Sequence, residues 1–319
     1  MSIIKTQTTA LSSQLSASLA EIQSLVLNPK TYVAEISRTT PTALVFLIDQ
    51  SGSMGNIITH NGQSITLAQA LANVVNGLLD ELLLSVTRNE GARGYFDLLM
   101  IGYGKKNGEC QLMWDTTDPA NPWVNTTDLE AHKISEIEVE ETRKTRSGTQ
   151  TIQVKKPIWI EAVASGQTPM QHALNTATMH IANWIKRYPN SFPPIVFNIT
   201  DGAATDADND HLLATAYRLK QVHTTDGNVL LFNIHLSPNE GDEAFLPTSL
   251  AELPSDDYAK QLYEMSSVLP DTPMFRARLA DICAPIQGNN MPVAMAYNVS
   301  EMTKIWRLLQ IGTIRTQRI

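Results

Sequence analysis

The run Asp49-Gln50-Ser51-Gly52-Ser53-Met54-Gly55 holds the side chains of this chain best spaced for chemistry. Asp49, Ser51 and Ser53 stand at alternate positions, and Gly52 and Gly55 let the backbone turn tightly between them. Three oxygen-bearing side chains set this way on a turn can converge on one point. Hard oxygen donors of this kind suit Mg²⁺, or Mn²⁺ or Ca²⁺, and not zinc or copper. The competing reading is a helix cap, with Asp49 or one Ser accepting from the first backbone N–H groups of the next helix.

Two later segments bear on that choice. Ser165-Gly166-Gln167-Thr168-Pro169-Met170 precedes a helical pattern, and Thr168-Pro169 alone reads as an N-cap followed by Pro at the first helical position. Ile195-Val196-Phe197-Asn198-Ile199-Thr200-Asp201-Gly202 is a largely apolar run ending in Asp, as Leu44-Val45-Phe46-Leu47-Ile48 is before Asp49. Both runs read as strands buried on both faces. Neighbouring parallel strands would bring Asp49 and Asp201 together at a carboxyl edge, where doubly wound folds bind ligands. Two adjacent carboxylates repel unless a cation lies between them or one takes up a proton.

The order Asp-x-Ser-x-Ser, loop Thr, strand-Thr-Asp-Gly resembles the von Willebrand factor A domain, whose hallmark is the metal-ion-dependent adhesion site. All five positions of that pattern occur: Asp49, Ser51, Ser53, Thr168 and Asp201. The resemblance covers about residues 40–240. It implies that Ser51, Ser53 and Thr168 coordinate the metal directly and that Asp49 and Asp201 act largely through bound waters. Neutral hydroxyl ligands leave the ion short of negative charge, so its open position would attract an Asp or Glu carboxylate from a partner protein. The implied function is a metal-dependent protein-binding module without catalytic activity. The stretch Thr200 to Asp206 is also similar to cytoplasmic bacterial proteins associated with tellurite-resistance and stress gene clusters.

The enzymatic alternative is a Mg²⁺-dependent phosphohydrolase or phosphotransferase of the haloacid-dehalogenase type, which also ends its first strand in Asp. That chemistry needs a second Asp two residues on as acid and base, and position 51 is Ser. Gly102-Tyr103-Gly104 follows a strand but lacks the third glycine and the helix of a dinucleotide fingerprint. Ser53 is no nucleophile elbow, because position 51 is not Gly. Asp206, Asp208 and Asp210 lack the Gly and closing Glu of a calcium loop and read as an acidic first helical turn. His172 and His180 lie too far apart on one helix face to share a metal.

The chain has 319 residues, 43% hydrophobic and 18% charged, with a formal net charge of −8. No basic surface speaks for nucleic acid or an anionic membrane. No apolar run is expected to span a bilayer, no secretion signal is evident, and a cytoplasmic location is the default. Cys110 and Cys283 form no metal or redox motif, and one disulfide between them stays open.

These residues need a scaffold, and the periodicities supply one. Strands are predicted at 43–49, 95–103, 110–114, 194–199, 228–235 and 292–297. Helices are predicted at 66–85, 170–187, 209–222, 256–266 and 300–312. The alternation predicts an α/β fold with a doubly wound, mostly parallel sheet flanked by helices. Residues 1–40 read as a lead-in whose segment 8–28 forms an amphipathic helix, with Leu11, Leu15, Leu19, Ile22 and Val26 on one face. That helix either packs back on the domain, the favoured reading, or docks a partner. Residues 41–319 read as the domain, with a β-hairpin insertion at 115–160 that borders the metal site and a C-terminal extension at 268–319. Segment 268–291 reads as an irregular connection, and the apolar faces within 292–314 as core.

Overall fold

The computed structural model describes residues 31–60, 62–104, 109–115, 118, 121–145, 148–237, 241–283 and 290–313. The helix expected over 8–28 lies outside the described residues, as do residues 146 and 147 of the expected hairpin turn.

Every residue of β1 (Thr42–Asp49) is buried. Successive strand side chains point to opposite faces, so Leu44, Phe46 and Ile48 enter one apolar cluster while Val45 and Leu47 enter another. A strand apolar on both faces belongs inside a sheet covered on both sides. A hairpin of β2 (Ile57–His60) and β3 (Gln63–Thr66) leads into α1 (Leu67–Val86). Thr66 caps that helix by accepting from Gln69 N–H at 3.0 Å. The expected stripe of Leu67, Ala70, Leu71, Val74, Val75, Leu78 and Leu82 is buried in full.

A short pair, β4 (Thr87–Arg88) and β5 (Gly91–Ala92), precedes the fully buried β6 (Phe96–Tyr103). Next come β7 (Cys110–Leu112), β8 (Val124–Asn125), and a long antiparallel ribbon of β9 (Ser135–Thr145) and β10 (Gly148–Ile158). The remaining elements are α2 (Met170–Arg187), β11 (Ile195–Thr200), α3 (Asn209–Gln221), β12 (Leu230–Leu236) and β13 (Ala244–Phe245). They are followed by α4 (Asp257–Met265), α5 (Pro273–Ile282), β14 (Met295–Val299) and α6 (Met302–Thr313).

The main sheet runs β13-β14-β12-β11-β1-β6-β7, with β8 also beside β6. β6, β1, β11, β12 and β14 pair in parallel, while β7, β8 and β13 are antiparallel. This is the expected doubly wound, mostly parallel α/β architecture. α1, α5 and α6 supply the layer on one face, and α2, α3 and α4 the layer on the other. From β1 the chain steps to β6 on one side and later to β11 on the other. The strand order therefore reverses between β1 and β11, where such sheets bind ligands.

Three expectations need correction or refinement. Segment 268–291 is not wholly irregular: Thr272 accepts from Phe275 N–H and Pro273 opens α5, so the proline starts a helix there instead of breaking one. By length and composition α1 could cross a bilayer, contrary to the expectation that no segment would; its apolar residues are instead used in packing against the sheet. Cys110 and Cys283 are both free thiols. The apolar face of α6 is core, as expected, with Ile305, Leu308, Leu309 and Ile311 fully buried.

The ribbon is longer than the sequence pattern indicates and is rooted on the flank of α1. Asn76 Oδ1 accepts from Trp159 N–H at 2.8 Å and Ile160 N–H at 3.0 Å, and its Nδ2 donates to Ile160 O at 2.9 Å. The indole of Trp159, fully buried, donates to Leu129 O at 2.8 Å. From this root the chain runs directly into the loop that carries Thr168.

Candidate functional site

Asp49 closes β1 and is 1% exposed. One of its oxygens accepts from Ser51 N–H at 2.8 Å, which folds the loop back over the strand end. The other accepts from Thr200 Oγ1 at 2.6 Å, which ties it to the last residue of neighbouring β11. Ser51 Oγ lies 3.0 Å from Ser53 Oγ, and Ser53 Oγ donates to Asp201 Oδ1 at 2.7 Å. Asp49, Ser51, Ser53 and Asp201 thus form one linked set at the carboxyl edge, across the β1/β11 switch point.

Thr168 joins this set through the backbone of its loop. Ser165 N–H donates to Gln50 O at 2.6 Å, and Gly52 N–H donates to Gly166 O at 3.1 Å. Thr168 N–H donates to Thr205 Oγ1 at 3.0 Å, and Thr168 O accepts from Thr205 N–H at 2.9 Å. All three loops carrying the five residues are therefore bound to one another. The helix-cap reading of Thr168 does not hold. Pro169 occupies the N-cap of α2 without a side-chain cap bond. The carboxylate of Asp206 serves that helix instead, accepting from Gln171 N–H at 3.1 Å and His172 N–H at 2.9 Å. Asp208 caps α3 and Asp210 lies in its first turn, as the acidic-turn reading expects; Asp206 does not.

The electrostatics show a site loaded against negative charge. Burial pushes the Asp49 carboxyl up to about 6, against hydrogen bonds from Thr200 and Ser51 that lower it, and the charge of Asp201 adds to the rise. Burial also raises Asp201, against hydrogen bonds from Ser53 and Ser51. Asp201 Oδ2 is buried without a hydrogen-bond partner. A buried carboxylate oxygen left unpartnered is costly unless something positive meets it. The donor set, two carboxylates and three hydroxyls, is of the hard-oxygen class that Mg²⁺, Mn²⁺ and Ca²⁺ take. No group of three or more His, Cys, Asp or Glu side chains that could hold a metal occurs among the described residues.

Residues outside the expected five complete the arrangement. Thr200 bridges the two strands, and its position in Thr200-Asp201-Gly202 was visible in the sequence though its bridging role was not. Gly104, at φ +110°, sits where a Cβ would overlap Gln167 O and stand 2.8 Å from Ser51 N. A Cβ at Gly102 would stand 2.5 Å from Gln50 Oε1. The Gly102-Tyr103-Gly104 motif thus lets two site loops approach β6 closely. Behind the site, Tyr103 Oη donates to Asn198 Oδ1 at 2.9 Å, and Asn198 Nδ2 donates to Asn233 Oδ1 at 2.9 Å.

The sequence matches no family model and no curated protein. Among solved structures, a von Willebrand factor type A protein from Catenulispora acidiphila is 13% identical, with a TM-score of 0.35 over 62% of this chain and 34% of that one. Proximal thread matrix protein 1 from the mussel byssus is 11% identical, with a TM-score of 0.43 over 88% of this chain and 48% of that one. The von Willebrand factor domain of the type V pili tip protein Mfa5 from Porphyromonas gingivalis is 14% identical, with a TM-score of 0.25 over 52% and 39%. The chain spans less than half the length of each of these structures.

Proposed function

We propose that this chain is a divalent-metal-dependent protein-binding module of the von Willebrand factor A type. In this reading Asp49, Ser51, Ser53, Thr168 and Asp201 hold Mg²⁺, with Mn²⁺ or Ca²⁺ as substitutes, and the ion receives an Asp or Glu carboxylate from a partner protein. The observation that carries the reading is the hydroxyl chain from Ser51 through Ser53 to Asp201, with the buried, unpartnered Asp201 Oδ2 beside it. Carboxylates held by burial above their ordinary range gain most from a cation, because the ion meets the charge that the protein interior opposes. The chemistry supplied by the bound ion is Lewis acidity toward an incoming carboxylate. The residues of the chain orient it and set how much positive charge is left over.

Ser51 stands where a phosphohydrolase of the haloacid-dehalogenase type needs its acid, so the module is read as binding and not as catalytic. The test is capture of a partner from cell extract in Mg²⁺, in EDTA and by the Asp49→Ala variant. The reading expects a partner that is held in Mg²⁺ and lost in both other arms. Equal capture in all three arms contradicts it, as does turnover of a phosphate ester that depends on Asp49.

A further inference from the structure

In the Asp201-Gly202 loop the carbonyl of Gly202 is held by a side chain from a distant element. Tyr258, in the first turn of α4, donates from Oη to Gly202 O at 2.5 Å. His235, near the end of β12, lies opposite Thr200 in the sheet register. His235 Nδ1 accepts from Asn298 N–H at 3.2 Å, which leaves the proton of the neutral ring on Nε2 as a donor.

The hydroxyl bookkeeping around Thr200 makes Tyr258 necessary. Thr200 Oγ1 has one proton and two acceptors in reach, Asp49 Oδ2 at 2.6 Å and Gly202 O at 2.9 Å. The shorter bond, to Asp49, takes that proton. Gly202 O then depends on Tyr258. The two rings are themselves fixed. His235 stacks on Tyr297 with centroids 4.7 Å apart, and Tyr258 meets His235 edge-on at 5.4 Å. Asp256 joins the set by accepting from Tyr297 Oη at 2.5 Å and from Tyr258 N–H at 2.7 Å.

We propose that Tyr258 is a positioning residue for Asp201: by holding the carbonyl of Gly202, with its ring braced edge-on by His235, it keeps the Asp201 carboxylate turned toward Ser53. This inference rests on the metal-binding reading for its purpose, but the clamp on the loop can be measured without metal. Preorganised partners that hold a metal-binding loop in place change metal affinity without touching the ion.

The experiment compares wild type, Tyr258→Phe and the control Tyr297→Phe, which alters the cluster away from residues 201 and 202. Calorimetric Mg²⁺ titration, thermal midpoint, and amide hydrogen exchange of residues 201–205 in EDTA are read for each. Tyr258→Phe is expected to weaken Mg²⁺ about tenfold and to speed exchange at 201–205. Tyr258→Phe is expected to leave the midpoint within about 2–4 °C, and Tyr297→Phe to leave Mg²⁺ affinity unchanged. Unchanged Mg²⁺ affinity in Tyr258→Phe overturns the inference, and so does an equal loss in Tyr297→Phe. If wild type takes up no Mg²⁺, the metal reading fails by itself and exchange decides the clamp: faster exchange in Tyr258→Phe upholds it and unchanged exchange overturns it.

Discussion

Ser53 and Asp201 are 148 residues apart in sequence, yet the serine hydroxyl donates to the aspartate carboxylate at 2.7 Å. That bond joins the loop after β1 to the loop after β11 and directs one oxygen of Asp201 toward the hydroxyl pair. Ser53→Ala removes it together with the contact to Ser51. Ser53 is exposed, so the stability cost is expected to stay near about 0.5–1.5 kcal/mol. Mg²⁺ affinity is expected to fall much further. Urea melts alongside calorimetric titration separate the two effects, and a variant that loses stability but keeps wild-type affinity would remove Ser53 from the site.

The buried Asp49 makes stability depend on pH in a definite direction. Its carboxyl titrates at about 6 in the folded protein, above its ordinary range near 3.8, chiefly because of burial. A raised folded value favours the neutral form, so this contribution is full below about pH 4 and lost as pH rises through about 6. Asp201 shifts in the same direction. In EDTA, Asp49→Asn is therefore expected to be more stable than wild type at pH 8, by about 1–3 kcal/mol. That advantage should shrink toward pH 4. Denaturant melts across pH 4–8 check this, and a less stable variant at pH 8 would contradict it.

Metal should act as a ligand of the folded state alone. At about 100 times its dissociation constant, Mg²⁺ is expected to add about 2.7 kcal/mol to wild-type stability. Asp201→Ala should show no such gain. Thermal melts with Mg²⁺ and with EDTA give the comparison, and an equal rise in both proteins would assign the effect to nonspecific salt.

Gly104 tests how closely the site loops must pack. Its φ of +110° disfavours a side chain, and a Cβ there would drive into Gln167 O and Ser51 N. Gly104→Ala is expected to lower stability by about 1–3 kcal/mol and to abolish Mg²⁺ uptake by separating the loops of Ser51 and Thr168. Retained uptake at wild-type affinity would show that the approach is not needed.

Asn76 roots the ribbon through three hydrogen bonds to residues 159 and 160, all buried. Asn76→Leu leaves those backbone groups without their partner and is expected to cost about 1–3 kcal/mol or more. Hydrogen exchange should quicken first at the root of β10, ahead of β1 and β11, and uniform quickening would contradict local rooting.

The sheet was legible because β1, β6, β11 and β12 are apolar on both faces, and that pattern needs no distant information. α1 and α2 were legible for the same local reason, through their 3.6-residue stripes. α5 was not, because Pro273 signals a break when read alone and a helix start only once Thr272 is seen to cap it. The loop motifs around Asp49, Thr168 and Asp201 could be read as a set from their order. The cap that Asp206 gives to α2 comes from a loop more than thirty residues on, beyond any local signal. Tyr258 was equally hidden, since an aromatic residue acquires its role only when α4 is packed beside Gly202.

Asp49, Ser51, Ser53, Thr168 and Asp201 are proposed to bind one divalent cation together. Calorimetric titration of Mg²⁺, repeated with Mn²⁺, into the metal-free wild type and into Asp201→Ala tests it most directly. One site per chain in wild type and none in the variant is the expected result. Absence of binding in wild type, or equal binding in both, would contradict it.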